Sequence, residues 1–195
     1  MKRYTIFAGV NGAGKSTLFE QSYIPLMNEQ RINTDELVRA IGSWQDNSLQ
    51  IRCAREAIKS IREYFNEGIS FNQESTLSGK SILNNIRKAK NLGYEVHLYY
   101  VGVHSADIAL ERIANRVANG GHGIPEADVR RRYEQSFKNF KEIFSECDIV
   151  ELYDNTDKIK LIAKFLDGNL VYRSKIIPSW IKDNEAFNKI VEFYF

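Results

Sequence analysis

The first residues of this chain that could do specific chemistry form a phosphate-binding pattern. Residues 9–16 are Gly-Val-Asn-Gly-Ala-Gly-Lys-Ser, which matches G-x-x-x-x-G-K-[ST] between an apolar run and an expected helix. Its glycines let successive backbone N–H groups face a polyphosphate, Lys15 can reach the β- and γ-phosphates, and the Ser16 hydroxyl can bind Mg²⁺. The pattern predicts ATP and Mg²⁺ as cofactors, with nucleotide contacts from Gly9, Asn11, Gly12, Ala13, Gly14, Lys15, Ser16 and Thr17.

Acidic residues at two expected strand ends are candidates for the acceptor side of a transfer reaction. Asp35 follows a short extended piece, where a carboxylate could take the proton of a substrate hydroxyl that attacks the γ-phosphate. Its alternative role is to cap the helix that follows. Glu74 and Thr76 end the strand over 69–74 and could contact the substrate, or a metal-bound water in the case of Glu74. Their alternative role is to cap the helix that begins near Gly79.

Basic residues cluster on both sides of a glycine-rich break at 119–125, which is typical of a mobile lid. Arg116 precedes the break, and Arg130, Arg131 and Arg132 follow it. Successive helical residues point about 100° apart, so at most two of these three can face the cleft. We expect Arg116 and Arg131 to stabilise the migrating phosphoryl group. The alternative is a solvated helix surface on which these arginines pair with neighbouring acidic residues.

Two further side chains are weaker candidates. His122 lies within the glycine-rich break and could contact phosphate or substrate. Asn155 follows a strand expected over 148–153, where it could contact the nucleotide base or form an ordinary Asx turn. Trp44 and Trp180 are expected to be packing residues.

Strand and helix patterns alternate along the chain, which predicts an α/β fold with a five-stranded parallel sheet flanked by helices. We expect a helix from Lys15 to Met27, a helix over 161–166, an edge strand over 169–173 and a terminal helix over 184–193. The domain prediction is a core over 1–156, with a helical lid over 119–132, and an extension over 157–195 packed on the same domain. Ligands of such sheets bind beyond the carboxyl ends of the strands.

The composition is that of an ordinary globular protein. Of the 195 residues, 43% are hydrophobic and 27% charged, and the net charge of +2 gives no electrostatic support for a nucleic-acid partner. The two cysteines have no metal-type spacing and are expected to be buried free thiols. We find no apolar stretch long enough for a membrane span and no signal-peptide pattern, so the expectation is a cytoplasmic protein without a membrane partner.

Several segments together resemble the zeta-toxin family of small kinases. They are G-V-N-G-A-G-K-S-T, I-N-T-D, E-S-T-L-S-G, the segment R-V-A-N-G-G-H-G-I-P-E-A-D-V-R-R-R-Y, and Y-D-N-T, within residues 3–156. The resemblance implies a P-loop kinase core and transfer of the ATP γ-phosphate to the 3′-hydroxyl of UDP-N-acetylglucosamine. It also implies a possible small helical antitoxin as partner.

By motif match, the resemblance gives Asp35 the position of the catalytic base and Lys15 and Ser16 the nucleotide and Mg²⁺ positions. Glu74 and Thr76 take substrate-contact positions, while Arg116 and one arginine of 130–132 take the lid positions. The leading expectation is thus a kinase acting on a small-molecule hydroxyl, such as that of a nucleotide sugar. The alternatives are a nucleotide-dependent regulatory switch and a nucleic-acid 5′-hydroxyl kinase.

Overall fold

The structure is a computed structural model that describes residues 1–22, 29–43, 46–184 and 187. The predictions for the end of the first helix, for Trp44 and for most of the terminal helix over 184–193 concern residues outside these ranges. Within the described part of the chain, no helix combines the length and the apolar character that crossing a membrane requires.

Strands and helices alternate through most of the chain, as the sequence predicts. The strands are β1 (Arg3–Ala8), β2 (Gln30–Ile32), β3 (Phe71–Ser75), β4 (Glu95–Gly102), β5 (Ile149–Asp154), β6 (Lys160–Leu166) and β7 (Asn169–Arg173). The helices are α1 (Lys15–Ser22), α2 (Thr34–Ile41), α3 (Asn47–Glu67), α4 (Lys80–Asn91), α5 (Ala106–Ala118), α6 (Glu126–Ile143) and α7 (Ser179–Lys182). A short 3₁₀ turn over Phe144–Glu146 follows α6.

All seven strands belong to one sheet, in the order β2-β3-β1-β4-β5-β6-β7. The first five are parallel and the last two are antiparallel, so the prediction of a five-stranded parallel sheet describes only part of a larger mixed sheet. The expected edge strand over 169–173 is confirmed as β7.

The prediction of a helix over 161–166 is wrong, because these residues form β6. A short apolar run is ambiguous between helix and strand, and here pairing along the whole of β5 decides the outcome. One cross-strand pair is ionic: Lys164 Nζ lies 2.8 Å from Glu151 Oε1. On the other face of β6, Phe165 is buried in the core.

The central strand β1 packs against helices on both of its faces. Tyr4, Ile6 and Ala8 contribute to one buried cluster, with α3, α4 and α6, while Phe7 contributes to a second cluster with α1 and α5. Burial on both sides explains why β1 is almost continuously apolar. The register pairs Ala8 with Ser75 on β3 and with Tyr100 on β4, so the carboxyl ends of these strands meet at one edge of the sheet. Ligand-binding loops are expected at that edge.

The short helix α7 returns to the carboxyl ends of β4 and β5. The indole ring of Trp180 stacks on Phe137 at a centroid distance of 5.8 Å, and its Nε1 donates a hydrogen bond of 2.9 Å to Asp154 Oδ1. The same ring lies over Gly102, where an added Cβ would come within 2.3 Å of it. The expectation that Trp180 is a packing residue is therefore confirmed.

This close approach predicts that Gly102→Ala destabilises the protein. Because the methyl group would overlap the Trp180 ring, we expect a loss of roughly 1–3 kcal/mol in the free energy of unfolding, measured by urea denaturation. Gly79→Ala is the matched control, since the nearest atom to its Cβ would be 3.7 Å away. Equal losses for the two variants would contradict the overpacking argument.

Candidate active site

The phosphate-binding pattern forms the loop between β1 and α1, and its glycines are sterically required. Gly14 has a φ of 98°, and a Cβ added there would lie 2.2 Å from Asn155 Nδ2. Gly9 has a φ of 140°, and its Cβ would lie 2.2 Å from the carbonyl oxygen of Val101 on β4. Only glycine fits between these neighbours, so the loop is held in shape from two sides.

Asn155 lies against this loop. Its Nδ2 donates a hydrogen bond of 2.8 Å to the carbonyl oxygen of Ala13, and its backbone N–H donates to Gly102 at 2.9 Å. The Asx turn that the sequence offered as an alternative is present, but Asp154 forms it, by accepting the N–H of Thr156 at 3.2 Å. In this structure the amide of Asn155 therefore braces the phosphate loop.

The functional side chains of the loop converge on Glu74. Ser16 Oγ donates a hydrogen bond of 2.9 Å to Glu74 Oε2, and Lys15 Nζ lies 3.7 Å from Glu74 Oε1. The ammonium of Lys15 also donates to the carbonyl oxygen of Val10 at 3.1 Å, and the residue is only 6% exposed. This position brings a carboxylate of β3 beside both chemically active groups of the loop.

The capping alternative for Glu74 and Thr76 is not what the structure shows. The N-cap residue of α4 is Gly79, and no side chain hydrogen-bonds to the cap. The Thr76 and Ser78 hydroxyls are 2.8 Å apart and bond each other. Both Glu74 and Thr76 thus lie at the strand end without a capping role.

The oxygen donors next to the loop fit Mg²⁺ in type and number. A hydroxyl (Ser16) and a carboxylate (Glu74) are hard oxygen ligands, which Mg²⁺ prefers, and it commonly uses one or two protein ligands together with phosphate oxygens and water. Within the described ranges there is no cluster of three or more His, Cys, Asp or Glu side chains that could hold a metal by itself. The arrangement is one that needs bound phosphate to complete a metal shell.

Asp35 lies in the first turn of α2, and a different residue caps that helix. The N-cap is Asn33, whose Oδ1 accepts the backbone N–H of Asp35 at 3.0 Å and of Glu36 at 3.4 Å. The Asp35 side chain is 34% exposed, and its Oδ2 lies 3.5 Å from His122 Nε2. The carboxylate therefore faces the segment between α5 and α6.

That segment brings Arg116 and His122 together at the same place. Arg116 Nη2 donates a hydrogen bond of 2.9 Å to the carbonyl oxygen of His122 and lies 3.2 Å from its ring Nε2. Arg116 Nε is buried and has no hydrogen-bond partner among the described residues. Burial lowers the pKa of the Arg116 guanidinium, against the opposing effect of Asp35. An anion placed here would satisfy a donor that the protein leaves unpaired.

The structure does not bring Arg131, the predicted member of the arginine triplet, to the phosphate loop. Arg131 is 62% exposed and pairs with Asp128, one turn earlier, at 2.7 Å. Arg132 instead reaches the phosphate loop, where its Nη1 donates a hydrogen bond of 3.0 Å to Asn11 Oδ1. Helix geometry explains the difference, because Arg132 lies three residues after the fully buried Val129 and shares its inward face. The apolar stripe of α6 is the sequence signal that could have identified it.

Two residues that the sequence analysis did not single out also contact the site. Asn33 Nδ2 donates to Glu74 Oε2 at 2.9 Å, and Arg31 Nη2 lies 3.2 Å from the same oxygen. The Asn-Thr-Asp-Glu sequence after β2 contains a recognisable N-cap, which could have indicated Asn33. No local pattern indicates that Arg31 reaches Glu74, which lies 43 residues away in sequence.

The contact between His122 and Asp35 gives a testable pKa. Burial lowers the pKa of the His122 ring below its usual 6.5, and the Asp35 charge partly opposes this effect. Neutral His122 therefore stabilises the fold above about pH 6.5, and this contribution is lost as the pH falls below that value. We expect Asp35→Asn to lower the His122 pKa further, as measured by NMR titration. His97 is the internal control, since its own lowered pKa does not depend on Asp35, and an increase for His122 would contradict the pairing.

Several known proteins are similar to this chain in sequence or in fold. A protein of Haemophilus influenzae, described as uncharacterized, is 38% identical over 129 residues, which is 65% of this chain and 89% of that protein. A crystal structure of the AvrRxo1-ORF1:ORF2 complex with ATP matches with a TM-score of 0.69 and 16% identity, and covers 87% of this chain. This chain spans 60% of the length of that matched chain.

A structure of the PezAT chromosomal toxin-antitoxin system of Streptococcus pneumoniae matches with a TM-score of 0.58 and 15% identity. The match covers 99% of this chain and 84% of the other. These likenesses show a shared α/β fold. The family model described as Zeta toxin matches residues 2–167, and the chain therefore belongs to the zeta-toxin family.

Proposed function

We propose that this protein is an ATP- and Mg²⁺-dependent kinase that transfers the γ-phosphate to a hydroxyl group of a small molecule. The observation that carries the proposal is the meeting of two half-sites at one sheet edge. Lys15, Ser16 and Glu74 form the half that suits a triphosphate, and Asp35 faces the lid residues of the other half. Membership of the zeta-toxin family supports it, as does the shared fold of a complex crystallised with ATP.

On the donor side, Lys15 would exchange the Val10 carbonyl for phosphate oxygens. The Ser16 hydroxyl and the Glu74 carboxylate would hold Mg²⁺, which supplies positive charge next to the transferring group. The backbone N–H groups of the loop would contact the remaining phosphate oxygens. Asn155 would keep the loop in register through its bond to the Ala13 carbonyl.

On the acceptor side, Asp35 would orient the attacking hydroxyl and take its proton. This role requires a carboxylate that is accessible to the acceptor, and Asp35 is one-third exposed and is not used as a cap. His122, Thr76 and Glu74 are the remaining candidates for contacts with the acceptor. His122 Nε2 lies 3.5 Å from Asp35 Oδ2, so an acceptor hydroxyl that bonds this carboxylate would displace the histidine ring or bond to it as well.

Two lid arginines would stabilise the negative charge that develops during transfer. Arg116 has a buried Nε–H with no partner among the described residues, and Arg132 already contacts the phosphate loop at Asn11. Both arginines would then place a cation near the migrating group, where a fixed positive charge stabilises the developing negative charge. This assignment replaces Arg131, which the sequence favoured.

The family resemblance suggests a nucleotide sugar as the acceptor, with UDP-N-acetylglucosamine as the first candidate. It also suggests a small antitoxin as a partner, and the PezAT system and the AvrRxo1 complex are structural relatives consistent with that idea. The direct test is to incubate the protein with labelled ATP and a panel of nucleotide sugars and to identify any phosphorylated product. The absence of transfer to every hydroxyl compound tested, with ATP bound, would contradict the kinase proposal.

The two half-sites predict different consequences for Asp35 and Lys15. Asp35→Asn should keep ATP affinity and lower transfer by about 10²-fold or more, because the general base is lost. Lys15→Ala should weaken ATP binding itself, because a direct phosphate contact is lost. Isothermal titration calorimetry with ATP, paired with product formation, separates these outcomes. Undiminished transfer in Asp35→Asn would remove this residue from the mechanism.

The lid assignment predicts a contrast within the arginine triplet. Arg132→Ala should lower the rate of transfer by about 10²-fold or more, on the scale of other arginines that stabilise phosphoryl transfer. Arg131→Ala is the matched control and should stay within about threefold of wild type, because an exposed pair with Asp128 contributes little. Single-turnover kinetics with labelled ATP would measure both. A larger loss of rate for Arg131→Ala than for Arg132→Ala would contradict this assignment and favour Arg131 as the lid residue.

A further inference from the structure

Arg31, at the middle of β2, has no role in the proposed reaction, yet it makes several polar contacts beside the site. Its Nη2 lies 3.2 Å from Glu74 Oε2 and 2.7 Å from Glu36 Oε1. Its Nε donates to both Glu36 oxygens, at 3.0 and 2.9 Å. The guanidinium therefore bridges a carboxylate of β3 and a carboxylate in the first turn of α2.

The guanidinium is also held in place from its remaining sides. Its Nη1 donates a hydrogen bond of 3.2 Å to Asn72 Oδ1, and its Cζ lies 3.6 Å from the centre of the Phe19 ring on α1. A cation stacked on an aromatic face and bonded through all three nitrogens has little rotational freedom. Arg31 thus presents Nη2 to Glu74 from a fixed position.

Charge explains why Glu74 needs this partner. In the structure two cations flank the Glu74 carboxylate, Lys15 at 3.7 Å and Arg31 at 3.2 Å. The proposed function requires Lys15 to turn toward phosphate, which removes one of them. Until Mg²⁺ binds, Arg31 is then the cation left beside the Glu74 carboxylate, which is only 12% exposed and would be costly to leave unpaired.

We propose that Arg31 is a positioning residue that fixes the Glu74 carboxylate beside Ser16 for Mg²⁺ binding. Through Glu36 it also ties that carboxylate to the turn of α2 that carries Asp35, and so sets the spacing between the metal side and the acceptor side of the site. Asn33 reinforces the same link, because its Nδ2 donates to both Glu74 and Glu36 at 2.9 Å. The inference rests on the proposed function, since it assumes that Mg²⁺ binds at Ser16 and Glu74.

The test measures how Mg²⁺ affects binding of a fluorescent ATP analogue, so that no acceptor has to be known. Arg31→Ala should raise the Mg²⁺ concentration for half-maximal binding of the analogue about tenfold, the scale seen when partners that orient metal ligands are removed. Binding of the analogue without Mg²⁺ should stay within about twofold, since Arg31 touches neither Lys15 nor the loop backbone. Arg31→Lys should fall between, because an ammonium cannot bond Glu36 and Glu74 in the same forked geometry.

Two comparisons separate positioning from a purely structural role. Arg87→Ala is the matched control: Arg87 also pairs with two glutamates, Glu142 at 2.6 Å and Glu146 at 3.0 Å, but on α4 and away from the phosphate loop. Arg87→Ala should change the midpoint of thermal unfolding but leave the Mg²⁺ concentration for half-maximal binding of the analogue unchanged. Added guanidinium ion at millimolar concentration should partly restore the Mg²⁺ dependence of Arg31→Ala, whereas it should do nothing for wild type.

The outcomes that overturn the inference differ from those that overturn the proposed function. If Mg²⁺ does not affect binding of the analogue to wild type, the proposed function fails at its metal site and the inference fails with it. If wild type responds to Mg²⁺ and Arg31→Ala responds equally, the inference alone is wrong. If Arg31→Ala does not fold, Arg31→Lys decides the question, and a wild-type Mg²⁺ dependence in that variant would refute the need for a forked donor.

Discussion

The site depends on the hydrogen bonds and ion pairs that the Glu74 carboxylate makes. It lies at the end of β3, in register with Phe7 on β1, so the parallel pairing of two buried strands delivers it to the phosphate loop. There it accepts Ser16 Oγ, Arg31 and Asn33 and lies near Lys15. A nearly buried negative charge is stable only if such partners surround it. The two carboxylate oxygens of Glu74 therefore link β3 to the phosphate loop and to the turn between β2 and α2.

The segment between α5 and α6, which is the proposed lid, and the start of α6 add polar contacts next to this centre. Arg116 and His122 lie over Asp35, and Arg132 bonds Asn11. All of these are polar contacts between side chains or to a loop carbonyl. The first turn of α6 is also anchored by Val129, which is fully buried in the core. Exchange of these polar contacts for bonds to a bound anion, as proposed for the two arginines, therefore does not require α6 to leave the core.

The sequence predicts what local pattern determines and misses what distant pairing determines. The loop of residues 9–16, the alternation of strands and helices, and Asp35 at the strand end are readable because each depends on neighbouring residues. The choice between Arg131 and Arg132 depends on helix phase against the core, and the strand β6 depends on a partner, β5, that a window of residues does not contain. Arg31 is the extreme case, since its link to Glu74 spans 43 residues and has no local signature. The errors thus fall where tertiary context overrides local preference.

Residues after 156 also contribute to the shape of the site, although the sequence contains no recognisable motif there. Trp180 donates to Asp154, which also accepts the Thr156 backbone and hydroxyl, and Thr156 in turn accepts the backbone N–H of His104. These bonds fix the turn that places Asn155 against Gly14 of the phosphate loop. Asn155 occupies the space next to Gly14 that any larger residue at position 14 would need. The shape of the phosphate loop therefore depends on α7, which is far along the chain. The final segment therefore supports the donor side of the site through these four hydrogen bonds, the bond from Asn155 to the Ala13 carbonyl, and the Trp180 ring packed on Gly102.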